Sequence, residues 1–92
     1  KHRFLSETTL TVGLLNRSLV HPHEVFAEAI EQRAAAIICI HNHPSGDSSP
    51  SEEDKRITRR LQESGELLGI PLLDHMIISK EDFTSFADEG WL

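Results

Sequence analysis

The sequence predicts an α/β domain in which a mixed β-sheet is covered by helices. Three observations carry that prediction. The apolar run Ala34-Ala35-Ala36-Ile37-Ile38-Cys39-Ile40 is too short for a helix and β-branched toward its end, so residues 36–40 read as a strand buried on both faces. Segments of helical periodicity stand before and after it, near residues 21–33 and 51–68. A second apolar run, Leu72 to Ser79, follows the second helix, and strands alternating with helices are the pattern of a covered sheet.

Taken in order, Phe4 to Val12 reads as a strand, with Leu10 and Val12 alternating against Thr9 and Thr11. Gly13 marks a bulge or bend, and Leu14 to Val20 an irregular connection with Asn16 and Ser18 as turn formers. The first helix starts at His21-Pro22, since proline is tolerated where its missing N–H has no helical partner to lose. Val25, Phe26, Ala29, Ile30 and Arg33 form one stripe, while Glu24, Glu28, Glu31 and Gln32 face water. Pro44-Ser45-Gly46-Asp47-Ser48-Ser49-Pro50 is a loop. The second helix runs from Ser51 to Leu68 with Ile57, Leu61 and Leu68 on one face, and Gly69 stops it. Asp74-His75 interrupts the strand that follows, and Lys80-Glu81-Asp82 turns it into a hairpin with Phe83 to Phe86. The order is β-α-β-α-β-β.

Composition narrows the function classes. Ninety-two residues make one domain, since domains run to about 100–150 residues. Nine basic against fifteen acidic residues give a net charge of −6, which counts against a module that binds nucleic acid non-specifically through a basic face. The longest apolar run has seven residues where a membrane span needs about 20, and no secretory signal is visible. A single cysteine, Cys39, cannot form an internal disulfide, so a reducing, cytoplasmic setting is expected and cysteine-rich zinc folds are removed. The chain begins at Lys1 and reads as a piece of a longer protein.

The chemistry concentrates at His41-Asn42-His43. If the strand conformation persists beyond Ile40, positions i and i+2 point to the same side, and two imidazoles can reach one metal ion. Asp54 lies three residues before Ile57 and seven before Leu61, on the inward face of the second helix. A carboxylate aimed inward needs a compensating partner, and a cation held by two histidines is one. Three such ligands leave a fourth tetrahedral position for water, the arrangement of a catalytic zinc. Ser51-Glu52-Glu53-Asp54 alone is equally a helix cap, and an isolated His-x-His is more often a loop feature. The combination of strand, His-x-His, turn-rich loop and inward acid shifts the balance toward a metal site.

His41-Asn42-His43, seven residues, then Ser51-x-x-Asp54 resembles the JAMM (JAB1/MPN) metalloprotease signature. The string His41-Asn42-His43-Pro44-Ser45-Gly46-Asp47, with Pro50-Ser51 and Asp54, is similar to the RadC branch, as are His21-Pro22-x-Glu24-Val25-Phe26, Gly65 to Ile70 and Leu73-Asp74-His75. The resemblance covers nearly the whole chain. It implies one Zn2+ ion bound by His41, His43 and Asp54, with the Ser51 hydroxyl stabilising the oxygen of a tetrahedral intermediate. It implies a deaminase-like JAB/MPN fold, with residues 1–92 one domain from the C-terminal part of a longer protein and its first strand outside this chain. The family's general-base glutamate then lies upstream. Glu7 is the earliest glutamate here and fits an exposed surface residue better than a base, and Glu24 and Glu28 fit solvent-facing helix positions.

The function expected is zinc-dependent hydrolysis of an amide or isopeptide bond in a peptide or protein substrate. The alternative is a non-catalytic protein- or DNA-binding module associated with DNA repair, to which the net charge lends no support. A serine hydrolase built on Ser51 is weak, because no nucleophile elbow surrounds that residue. A sheet edge left open by a missing strand offers a route to a homodimer. His75 reads as a structural histidine, hydrogen-bonded to backbone or to a carboxylate, ahead of a partner of the metal ligands, and His21 and His23 as parts of a helix start. Cys39 reads as a buried hydrophobe, and Arg56, Arg59 and Arg60 as a solvated face; Trp91 is undecided.

Overall fold

A computed structural model describes residues 2–4, 10–15, 21–43 and 46–92. They form β1 (His2–Phe4), β2 (Leu10–Leu15), α1 (Pro22–Glu31), β3 (Ala36–Asn42), α2 (Glu52–Leu68), β4 (Leu72–Ile78) and β5 (Phe83–Ser85). The five strands make one sheet in the order β1-β2-β3-β4-β5. β2, β3 and β4 are parallel, and β1 and β5 pair antiparallel at the two edges. Both parallel connections pass through a helix and step the same way across the sheet, so right-handed crossovers put α1 and α2 on one face. Their shared core agrees: Phe26 and Ala29 of α1 and Leu61 of α2 pack with Ile37 and Cys39 of β3 and Leu72 of β4.

The mixed sheet with covering helices is the fold the sequence predicts, with one element more. Residues 4–12 were expected as a single strand, whereas β1 folds back on β2 with His2 opposite Gly13 and Phe4 opposite Thr11. The alternation that marks a strand covers only Thr9 to Val12, and pairing decides the rest. β2 runs on through Leu15 because all six of its residues pair with β3, from Leu10 opposite Ala36 to Leu15 opposite His41. Gly13 sits in that unbroken register opposite Cys39, so no bulge occurs there. Asn16 and Ser18 lie outside the described residues.

Helix α1 begins as expected, with His21 extended at the N-cap and Pro22 opening the first turn. It buries Phe26 and Ala29. Two residues of the expected stripe do not belong to it. Ile30 is 54% exposed, and Arg33 lies beyond the helix at φ 55, where the chain turns into β3. Helix α2 starts from a reciprocal capping box between Ser51 and Asp54 and ends on Gly69 in the left-handed region at φ 74. Its buried stripe is Asp54, Thr58, Leu61 and Gly65. Leu68 is 49% exposed, because with Ile30 it lines the open groove between the two helices rather than the sheet. Gly65 is required by packing: a Cβ there would sit 2.4 Å from the Ile70 carbonyl oxygen.

β3 buries Ile37, Cys39 and His41 on the helix-covered face, while Ile38 and Ile40 are only partly buried. The expectation of burial on both faces fails for a topological reason, since both helices lie on the same side. β4 carries the sheet's irregularity. Leu72 pairs with Ile37 and Asp74 with Ile38, so Leu73 is an extra residue. The insertion lets Leu72 and His75, three apart, both face inward. Among the described residues no helix is long and apolar enough to cross a membrane.

Candidate metal centre

The carboxyl end of β3 and the amino end of α2 meet at one point. The strand conformation persists beyond Ile40: His41 and Asn42 lie within β3, and the His43 N–H still donates to the Ile78 carbonyl at 2.8 Å. His41 and His43 therefore project to the same side. Asp54 is the third residue of α2 and is 3% exposed. The cap holds it there: the Ser51 N–H donates to Asp54 Oδ2 at 2.8 Å, and the Asp54 N–H donates to Ser51 Oγ at 3.0 Å.

His41 Nδ1 lies 3.0 Å from Asp54 Oδ1, and His43 Nε2 lies 3.3 Å from Asp54 Oδ2. The two imidazoles meet edge to face with centroids 4.7 Å apart. One donor atom from each of the three residues falls within 4.8 Å of the others. Donors about 2.0–2.1 Å from a tetrahedral zinc stand roughly 3.3 Å apart, close to the two nitrogen–oxygen distances, which run to different oxygens of Asp54. His43 Nδ1 is 3.1 Å from the Asp47 carbonyl oxygen. A carbonyl only accepts, so Nδ1 carries the proton, and in the neutral ring Nε2 presents a lone pair to the Asp54 carboxylate. Two acceptors that close repel unless a cation, proton or metal, lies between them. The donor set of two imidazole nitrogens and one carboxylate fits zinc.

Burial works to raise the Asp54 pKa, but hydrogen bonding with Ser51 and the two imidazoles outweigh it and hold the carboxyl below the usual range. Asp54 is thus a carboxylate at neutral pH, as a metal ligand must be. The loop carrying His43 is anchored from outside the site. Ser48 Oγ reaches Thr84 Oγ1 at 3.0 Å on β5; within the loop, the Asp47 carboxylate accepts from the Ser49 N–H at 3.0 Å, a bond that lowers the Asp47 pKa.

Behind His41, His43 and Asp54 lies His75 of β4, 1% exposed. Its ring stacks on His41 at 6.0 Å and on Phe86 at 5.0 Å. Burial, reinforced by the neighbouring His41, pulls its pKa down to about 4, so the ring is neutral at physiological pH. Its ring partner is the Thr58 hydroxyl rather than the backbone or carboxylate expected from the sequence. The neighbouring Asp74 staples the C-terminal segment to β4, accepting from the His75 N–H at 2.8 Å, Ser85 Oγ at 2.6 Å and the Ala87 N–H at 3.0 Å.

The structure brings together four of the residues singled out by sequence: His41, His43, Ser51 and Asp54. Glu7 lies outside the described residues. Glu24 is exposed on α1, and Glu28 is partly buried, accepting from Gln32 at 3.0 Å. His21 and His23 line a cleft with Arg60 and Glu63, apart from the metal centre. Cys39 is buried, and desolvation pushes its thiol up to about 12. Arg56, Arg59 and Arg60 are exposed, and Arg56 pairs with Glu53 at 2.6 Å. Trp91 packs edge-on against Phe86 at 5.3 Å with the Lys55 ammonium over its ring. Thr58 and Asp74 carry contacts that the sequence reading did not assign. Thr58 was open to discovery, being one helical turn past Asp54 on its face; Asp74 was not, because its partners come from the C-terminal turn.

The pattern of the RadC-like JAB domain matches residues 1–91. A UPF0758 protein of Methanospirillum hungatei is 63% identical over 84 residues, covering 91% of this chain and 37% of its own length. UPF0758 proteins of Bacillus licheniformis and Thermotoga maritima are 53% and 51% identical over all 92 residues, each matched over 41% of its length. The chain thus spans about two fifths of the curated relatives it matches.

Proposed function

This chain belongs to the RadC-like JAB domain family, and from that premise we propose that it acts as a zinc-dependent hydrolase of amide or isopeptide bonds in a peptide or protein substrate. The observation that supports the reading is the convergence of His41 and His43 on a buried Asp54 carboxylate, at 3.0 and 3.3 Å. When bound, a zinc ion polarises a carbonyl and lowers the pKa of water to about 7. His41, His43 and Asp54 would hold it.

Ser51 stands beside the site in a double role. Its Oγ accepts from the Asp54 N–H, which leaves the hydroxyl proton for another partner. An exposed donor at the mouth of the site suits an oxygen that gains negative charge as a carbonyl is attacked. The proton shuttle to the leaving amine requires a base, a role that the family resemblance gives to a glutamate.

Metal analysis of the full-length protein should find one zinc per chain, lost in His41→Ala and Asp54→Ala. Hydrolysis of a panel of peptide and isopeptide-linked substrates should be chelator-sensitive and absent in His43→Ala. Zinc binding without turnover would leave a metal-containing recognition domain. No zinc by analysis and no thermal shift on adding zinc would overturn the reading.

A further inference from the structure

His75 is a buried polar ring that zinc ligation by His41, His43 and Asp54 does not use. Its Nδ1 lies 2.5 Å from Thr58 Oγ1, and Thr58 Oγ1 lies 2.6 Å from the Asp54 carbonyl oxygen. The direction of these bonds follows from chemistry alone. The carbonyl can only accept, so the single hydroxyl proton of Thr58 points at Asp54. Nδ1 of His75 must then donate. The ring is left with its lone pair on Nε2, buried and without a hydrogen-bond partner among the described residues.

A phenylalanine at this position would stack on His41 and Phe86 without burying a bare nitrogen. The sequence instead keeps a ring whose polar edge carries an unfavourable desolvation. What that edge supplies is a fixed link from β4 to the first turn of α2. The flat face supplies a second link, to the His41 ring at the end of β3. One side chain thus touches both elements that carry the metal ligands. The bulge at Leu73 is what turns it inward to do so.

We propose that His75 is a positioning residue of the metal centre: its Nδ1–H, through the Thr58 hydroxyl, and its stacked face set Asp54 and His41 at their mutual distance. The inference rests on the reading of His41, His43 and Asp54 as zinc ligands. It assigns His75 no contact with zinc or substrate.

Three variants divide the two functions of the ring. His75→Phe keeps the stack and removes the donor. Thr58→Val keeps the volume and removes the relay. His75→Asn loses the stack but places an amide N–H where Nδ1–H stood. Zinc affinity of the full-length protein, and the visible spectrum of its cobalt form, are measured well below the melting temperature of each variant. His75→Phe and Thr58→Val should raise the zinc dissociation constant about 10–100-fold, the range found when a partner of a metal ligand is removed. Both should shift the cobalt spectrum, and His75→Asn should recover most of the affinity. In the metal-free protein, histidine 15N shifts should place the His75 proton on Nδ1.

Unchanged affinity and spectrum in His75→Phe and Thr58→Val, or an Nε2–H tautomer, overturn the inference and leave the zinc reading standing. If His75→Phe does not fold, Thr58→Val decides. Failure of the unaltered protein to bind zinc overturns the zinc reading and this inference together.

Discussion

Replacing Asp54 by asparagine separates what this residue does for the helix from what it does for a metal. Asparagine keeps an oxygen for the Ser51 N–H, which donates to Asp54 Oδ2 at 2.8 Å, so the capping box survives. The negative charge is lost. In chelator, that loss costs about 0.3–1 kcal/mol, the worth of a charge at a helix N-terminus. In zinc at 100 times its dissociation constant, the unaltered chain should gain about 2.7 kcal/mol from ligation and the variant should not. For a domain of this size that difference is about 10–20 °C in melting temperature. The assay is thermal unfolding of both proteins, with and without zinc. The capping cost is common to both conditions and cancels in the difference of differences. A gap between the two proteins that does not widen on adding zinc would refute the assignment of Asp54 as a ligand.

Ser51→Ala should cost about 1 kcal/mol of stability through the lost cap, and the hydrolase reading adds a fall in turnover of about 10²–10³. A variant with the stability loss and full turnover would remove Ser51 from the chemistry. Gly65→Ala should destabilise by about 1–3 kcal/mol, despite the helix preference of alanine, because the new Cβ falls 2.4 Å from the Ile70 oxygen; denaturant unfolding decides, and a more stable variant contradicts that close approach. His75 gives the metal-free chain a pH dependence. Its pKa is about 4 folded and about 6.5 unfolded, so its contribution is whole above pH 6.5 and is lost as pH falls toward 4. The loss amounts to about 3 kcal/mol. His75→Phe should flatten that slope, and an equal slope in the variant would show that another group titrates.

The helices and the central strands were legible because each carries a local signal. Pro22 opens α1, Ser51 and Gly69 bracket α2, and both helices lie where these residues place them. The division of residues 2–15 into two paired strands was not legible, because which strand pairs with which is a matter of contacts distant in sequence. The partial burial of Ile38 and Ile40 and the exposure of Ile30 have the same origin: hydrophobicity says that a residue prefers burial, and topology says whether anything lies above it.

The candidate site divides along the same line. His41-x-His43 and the cap Ser51-x-x-Asp54 are short-range patterns, and strand and helix periodicity fix the side on which each of these side chains lies. That much was settled by residue order, since side-chain direction within one element repeats at a fixed interval. The convergence of those side chains at 3.0 and 3.3 Å, and the inward turn of His75 through an extra residue in β4, came only with the packed sheet. Distances between elements, and the register that aims a side chain across them, depend on how separate segments pack, and no local periodicity encodes that.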